Sequence, residues 1–556
     1  MLLWKSFLIL LSGLMISVPG LLVFISGFVT AQDDDADKSI IKFQEKKLSK
    51  SFYQVERSLR FEDYDRTAIP KKIADITSQF EREYLQSLIK KREENFTSQY
   101  NLLLWQLNYM PEYFRYYDEL VTAARSNGKL NELKEHSARL KSKNTFKIYL
   151  SALIEHLSGN YNESINTLKI VTHPEKEIHY LKAQSLRALG NYDNALIELN
   201  AAETLAGNNR DYLSKIFNSK GSLLFLSGHA DKAETFYKKA YETAKHSGNA
   251  EEETKALVNL GIIADEYGDV ISARKSIKQA IGIADRIQNP ELKALAYSEL
   301  GVSYSLTNEI IDAKTYYEKS YHLYKKMNNN ERLSLLSSNL AAIYSQLSNH
   351  LAALKHYEEG SQLAGKNIRA QILNLNGIGD VYANLGNYSK ALNYYEKAKE
   401  LSLEIKDANS AAAVDVSIGT LLYNIGKPRK AIEYYKNAAE IIDAQANPYN
   451  AADLYFKTGL AYTDTDSFNT GADYYFKGLE LAKSSGDVYN EIIISTGLAH
   501  NLILTGNLEG AAGLLKQIRT KTGQYGLTQV GNIQDLYLAK IFINRNETNK
   551  AIQLLS

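Results

Sequence analysis

One small residue returns through this chain at a nearly fixed interval. It is Ser164, Ala195, Ala233, Ala273, Ala313, Ala353, Ala391, Ala431, Gly471, Ala511 and Ala551, at steps of 31, 38, 40, 40, 40, 38, 40, 40, 40 and 40 residues. A period of this size over so many copies restricts the chain to a solenoid or array of stacked units, because no single unit can bury its apolar face alone. Twelve residues before each member stands a second small residue: Ala152, Ala183, Gly221, Gly261, Gly301, Ala341, Gly379, Gly419, Gly459, Ala499 and Ala539. Glycine inside a helix costs about 1 kcal/mol relative to alanine, so its repeated use there predicts a point where two helices approach closely.

Four residues after the first series lie large side chains, among them Tyr237, Ile277, Tyr317, Tyr357, Tyr395, Tyr435 and Tyr475, and seven after it small ones again. Offsets of 0, 4 and 7 define one face of an α-helix. Each copy is therefore expected to be a pair of antiparallel helices, with Glu291–Leu306 and Ile310–Met327 as the pair in one copy. The turns between them are "SGH", "YGD", "TNE", "SNH", "LGN", "IGK" and "TGN", in which Gly or Asn takes a left-handed cap. Pro290 and Pro448 stand at equivalent positions and are expected in loops between units. The in-phase tyrosines are expected in the core, the large residue filling the groove of the next helix.

This pattern resembles the tetratricopeptide repeat family. Leu300-Gly301 with Tyr304, and Leu340-Ala341 with Tyr344, follow its L-G-x2-Y stretch; Ala313 with Tyr317 and Ala391 with Tyr395 follow its A-x3-aromatic stretch. The period of 40 departs from the family's 34. The resemblance implies an all-α fold, a right-handed superhelical α-solenoid, over 141–556 in about eleven units, the last one incomplete. Residues 32–140 are helical in composition but out of register, and read as an N-terminal cap, which an array needs to cover its end face.

The N-terminus opens with one cation, Lys5, and no further charge until Asp33. Residues 1–31 read as a signal peptide cleaved after Ala31 or, alternatively, as an uncleaved membrane anchor, since about 20 apolar residues span a bilayer. Either reading puts the array outside the cytoplasm. At the other end "NKAIQLLS" cuts the last second helix short, so a partner or further chain is expected to cover that seam.

The 556 residues hold 65 Lys and Arg against 64 Asp and Glu, a balance that argues against a nucleic-acid partner. The sequence has no cysteine, so thiolate metal sites and thiol nucleophiles are out. The ten histidines show no paired spacing for zinc. No phosphate loop or nucleophile elbow occurs, and carboxylates on helix surfaces are taken as solvated. No catalytic residue, metal or cofactor is expected.

The functional signal lies on the first helix of each pair, at offsets of −3, −2, +1 and +5 from its Gly or Ala. These give Asn218, Asn259, Asn339, Asn376, Asp380, Asn384 and Asn424, with serines such as Ser219 and Ser417 between them. An asparagine amide donates and accepts, and so suits the main chain of an extended peptide; bonding between helices is the alternative role. The resemblance supports this most directly for Asn259 and Asn339, which stand in "VNLG" and "SNLA". The groove is read as lacking a strong Lys/Arg pair across neighbouring units, so a clamp for a peptide carboxylate is not expected. The expected function is a non-catalytic protein- or peptide-binding scaffold. The alternative is the extracytoplasmic sensor part of a longer signalling protein with a kinase, transcriptional or caspase-like output.

Overall fold

The computed structural model describes residues 48–62, 68–142, 144–365, 367–442, 448–525 and 527–555; the apolar segment 1–31 lies outside them. The described residues form twenty-eight α-helices, one short 3-10 turn and no strand. None of these helices is long and apolar enough to cross a membrane. From Arg210 onward the helices are mostly 17 residues long and pack as successive antiparallel pairs; Pro290–Leu306 with Ile310–Lys326 reproduces the expected pair to within a residue.

The ends of these helices follow from local chemistry. Asn209, Asn249, Asn289, Asn387 and Asn507 each accept, through the side-chain oxygen, the backbone N–H three residues on. This satisfies a donor that the first helical turn leaves unpaired. Within the pairs the left-handed residue is Gly268, Gly386, Gly426 or Gly506, or a non-glycine such as Asn308 and Ser348. Pro290 and Pro448 are not in loops. Each is the first residue of its helix, as is Pro428, where the missing N–H has no partner to lose and the fixed φ is already helical.

The small residues are points of close approach, and the partner of each is now definite. A Cβ added to Gly221, Gly261, Gly301, Gly379, Gly419 or Gly459 would lie 2.5–2.8 Å from the side chain of Tyr237, Ile277, Tyr317, Tyr395, Tyr435 or Tyr475 respectively. The large residue thus packs first onto the glycine of its own pair, sixteen residues upstream, and not only into the next pair. Tyr475 does both, since a Cβ at Gly497 in the following helix would also meet it at 2.9 Å.

The chain divides into two compact units, 48–343 with 362–367, and 344–361 with 368–555. In the N-terminal unit, 48–140 does more than cap an end. Its first helix, Lys50–Phe61, lies against Ala250–Glu266. Arg57 pairs with Asp211 at 3.0 Å and donates to the carbonyl of Ser247. Phe61, 3% exposed, packs among Ala250, Ala284, Ile287 and Leu292. Further along the same edge, Arg125 pairs with Glu291 at 2.9 Å and Asn328 donates to the carbonyl of Ser126 at 2.8 Å.

Beneath this contact runs a buried ionic cluster. Arg60 sits 3.2 Å from Glu56, 3.1 Å from Glu119 and 3.9 Å from Glu251, with the hydroxyls of Tyr84 and Tyr113 on Glu56. These carboxylates are buried, contrary to the expectation of solvated charge. Phe61 is the apolar anchor of the edge. Phe61→Ala should therefore cost about 3 kcal/mol, the usual penalty for an emptied aromatic site, and should speed amide exchange in 250–292. A loss below about 1 kcal/mol in urea titration would mean the helix is only loosely held.

Candidate functional site

The first helices of four consecutive pairs in the N-terminal unit, Lys176–Ala188, Arg210–Leu226, Ala250–Glu266 and, through Leu295, Pro290–Leu306, line a small solvent-open recess. Two of the expected residues meet there. Asn259 donates to the amide oxygen of Asn218 at 3.4 Å, and Asn218 donates to the Glu252 carboxylate at 2.8 Å. The contact belongs to a ladder that joins offset −3 of one first helix to offset −2 of the next. The Tyr180 and Ser219 hydroxyls lie 2.9 Å apart, and in the C-terminal unit Asn376 donates to Ser417 at 3.1 Å. The asparagines thus do bond between helices. The ladder still leaves Asn259 its carbonyl and one N–H.

The other expected residues stand as follows. Asn339 is buried in the N-terminal unit, makes no hydrogen bond among the described residues, and does not line the recess. In the C-terminal unit, Asn376, Asp380 and Asn384 share the helix Ile368–Asn384, and Asn424 ends the helix Ala408–Asn424. The amide oxygens of Asn376 and Asn424 are buried without a partner. Asp380 accepts the Tyr395 hydroxyl at 2.6 Å, and burial pushes its carboxyl up to about 7.

The offsets chosen from sequence missed the charged lining. Lys215 and Lys255 both lie six residues before their glycine, on neighbouring first helices, and both face the recess. The Lys/Arg pair expected to be absent is therefore present, about one helical turn before the positions read. The Lys215 ammonium lies 4.2 Å from the Tyr180 ring centre, and Lys255 pairs with Glu252 at 2.6 Å. Arg187 completes the lining. It is 8% exposed and makes no hydrogen bond or ion pair among the described residues. Burial lowers its pKa, as does the nearby Arg332; the hydroxyls of Tyr180 and Tyr237 oppose this.

A second residue at offset −2 was passed over. Glu299 occupies the place that Asn259 and Asn339 hold in the copies before and after it. It is 1% exposed with neither oxygen hydrogen-bonded, and burial pushes it up to about 8.

One serine–histidine contact resembles a catalytic pair in distance only. His156 Nδ1 lies 2.9 Å from Ser185 Oγ, which donates on to Ser164 at 3.2 Å. Ser185 is fully buried, and burial pulls His156 down to about 3. The contact joins two helices and presents no hydroxyl to a substrate.

Two-helix units repeated around close glycine contacts, with polar side chains lining a concave recess, define a helical-repeat protein. The chain matches the tetratricopeptide repeat family at 176–209, 331–404 and 368–444. It is a tetratricopeptide-repeat protein. Comparison with curated proteins finds no match. Among solved structures, the APC/C hetero-tetramer Cut9–Hcn1 is 15% identical, over 84% of this chain and 98% of that one, with a TM-score of 0.36. A Rap protein complexed with competence and sporulation factor is 14% identical over 61% and 99%, with a TM-score of 0.41. The apo form of RapI is 14% identical over 62% and 96%, with a TM-score of 0.40. These superpositions are too loose to carry any function across.

Proposed function

We propose that this protein is a non-catalytic scaffold that binds a protein or extended peptide along the concave face of its first helices. The observation that carries the reading is the recess at Asn218 and Asn259. Polar groups from three successive helices converge there, and Asn259 keeps both an acceptor and a donor free. Asn339, buried yet unbonded, is placed to continue the same contact. A peptide main chain offers the matching N–H and C=O groups at each residue. Asn376, Asp380, Asn384 and Asn424 are the corresponding candidates in the C-terminal unit, where the orphaned oxygens of Asn376 and Asn424 await a donor.

The test is selection from a random peptide library on the full chain, followed by titration of an enriched peptide. The double variant Asn259→Ala, Asn339→Ala should weaken it about tenfold, at roughly 0.7 kcal/mol for each lost hydrogen bond. Equal affinity for both proteins would reject the concave face as the site.

We further propose that the array lies outside the cytoplasm, on the strength of the apolar run and small-residue pattern at 1–31. Alkaline phosphatase fused after Ala31 should be active in a bacterial host; an inactive fusion would place the array inside.

A further inference from the structure

The turns inside the helix pairs form one edge of the repeats. In the C-terminal unit three successive turns, 347–351, 385–390 and 425–430, hold no Asp or Glu. Their pairs stack directly: Tyr357 lies on Gly377, and Tyr395 packs with Val414 and Ile418. The turns therefore stand side by side. Their tips are apolar and uncovered. Leu351 is 81% exposed, and Leu347, Leu385 and Tyr388 are each at least 40% exposed. Lys390, Lys427, Arg429 and Lys430 are exposed among them, and none forms an ion pair among the described residues. The second helices take up carboxylates only from Glu358, Glu396 and Glu433 onward, more than one turn in from their starts.

The same edge of the N-terminal unit shares the apolar tips but not the charge. Tyr267, Ile271 and Ile311 are exposed to a similar degree, with Asp269, Glu309 and Asp312 exposed beside them. Apolar tips in a row mark a surface that meets something other than water, and the absence of carboxylates is confined to the three C-terminal turns.

We propose that this edge of the C-terminal unit rests on an anionic lipid surface, with Leu347, Leu351, Leu385 and Tyr388 entering the headgroup layer. A bilayer interface accepts apolar side chains singly, without a matching pocket, and attracts the cations around them. Tyrosine suits such a boundary, since its ring is apolar and its hydroxyl stays wet. Lysine and arginine reach headgroup phosphates while their stems cover apolar surface. A protein partner of fixed shape needs pockets for its anchors, and these tips stand on turns, not in a groove. The edge is made by turns and the concave face by first helices, so the proposal goes beyond the peptide-binding reading and does not depend on it.

The sequence has no cysteine, so a single one can carry an environment-sensitive fluorophore. The full chain with Leu351→Cys, labelled there, is mixed with vesicles of phosphatidylglycerol or of phosphatidylcholine. A blue shift with phosphatidylglycerol and none with phosphatidylcholine is the expected result. A label at this tip reports docking of the edge itself, whether or not 1–31 also attaches to the vesicle. Each cation at an anionic surface contributes about fivefold, so Lys427→Gln, Arg429→Gln and Lys430→Gln together should lower the ratio of inserted to free label about a hundredfold. Leu385→Ser with Tyr388→Ser should lower it at least about tenfold. The same label on Ile271→Cys, an equally exposed tip beside Asp269, should not shift. All the substituted side chains are exposed, so the fold is expected to be unchanged.

No shift with phosphatidylglycerol, an equal shift with phosphatidylcholine, an unchanged ratio in the triple variant, or an equal shift at position 271 would each overturn the proposal. So would a shift that polyglutamate produces in solution and vesicles do not, which would make the edge a site for an acidic protein.

Discussion

Tyr395→Ala should cost the C-terminal unit about 4 kcal/mol, at the level of a large aromatic removed from a packed core. The ring is 2% exposed and lies over the bare backbone of Gly379, within the cluster of Ile372, Ala391, Ala398, Val414 and Ile418. Its hydroxyl is also the donor to Asp380 at 2.6 Å. Tyr395→Phe keeps the ring and loses only that bond, so it should cost about 1 kcal/mol.

The sharper expectation concerns Gly379. In the natural protein an added methyl would stand 2.5 Å from the ring, so Gly379→Ala should destabilise by about 1–3 kcal/mol. In the Tyr395→Ala background the obstacle is gone. The same change should then stabilise by up to about 1 kcal/mol, the helix propensity recovered on replacing glycine. Chemical denaturation of the four proteins gives the sign in each background. If Gly379→Ala has the same effect in both, glycine and ring are not packed as a pair, and the reason offered for the small-residue series is wrong.

The two residue series behind that pairing were legible in the sequence because the array repeats them, but the large side chain was expected in the groove of the next helix, not on the glycine of its own pair. Gly221 with Tyr237, Gly301 with Tyr317 and Gly419 with Tyr435 recur at a constant spacing of sixteen, so a weak local preference became a strong signal by repetition. The helix bounds were legible for the same reason. The contact of Phe61 with Ala250 and Ile287 was not. It joins residues about 190–230 positions apart, occurs once, and leaves no period; Lys50–Phe61 reads in isolation as any amphipathic helix.

The recess was half legible. Asn218 and Asn259 stood out because they fall at offsets −3 and −2 from the repeated glycine and because an asparagine amide both donates and accepts. Lys215 and Lys255 did not, since lysine on a helix is ordinarily solvated. Only the packing of neighbouring first helices side by side brings them to one recess with Arg187. Glu299 shows the limit of residue type as a guide. Its offset was identical to that of Asn259, but a glutamate on a helix was taken for surface.

Stability of the N-terminal unit should fall as pH rises from about 4.5 to 8, and Glu299 should be the main cause. An unfolded glutamate titrates near 4.3, whereas burial holds Glu299 at about 8 in the folded chain. Arg332 pulls this value down and Asp265 pushes it up, both less than burial does. Between those two values the unfolded chain gives up the proton and the folded chain keeps it. The folded state then binds more protons, so stability declines with pH, with full stability below about 4 and the loss complete above about 8. Asp265, held at about 7 by burial against its bond from Ser303 at 3.0 Å, adds a smaller loss of the same sign.

Glu299→Gln removes the charge and keeps the shape. At pH 8.5 it should be more stable than the natural protein by roughly 3 kcal/mol, allowing for some relaxation around the charge. At pH 4.5, where the acid is already neutral in the fold, the two should nearly coincide. Urea midpoints of both proteins across this range decide it, read on the transition of the N-terminal unit. Parallel curves, or a natural protein that gains stability between pH 5 and 8, would mean that Glu299 is ionised in the fold and has found a cation, for which Arg332, already within electrostatic reach of it, would be the first to replace.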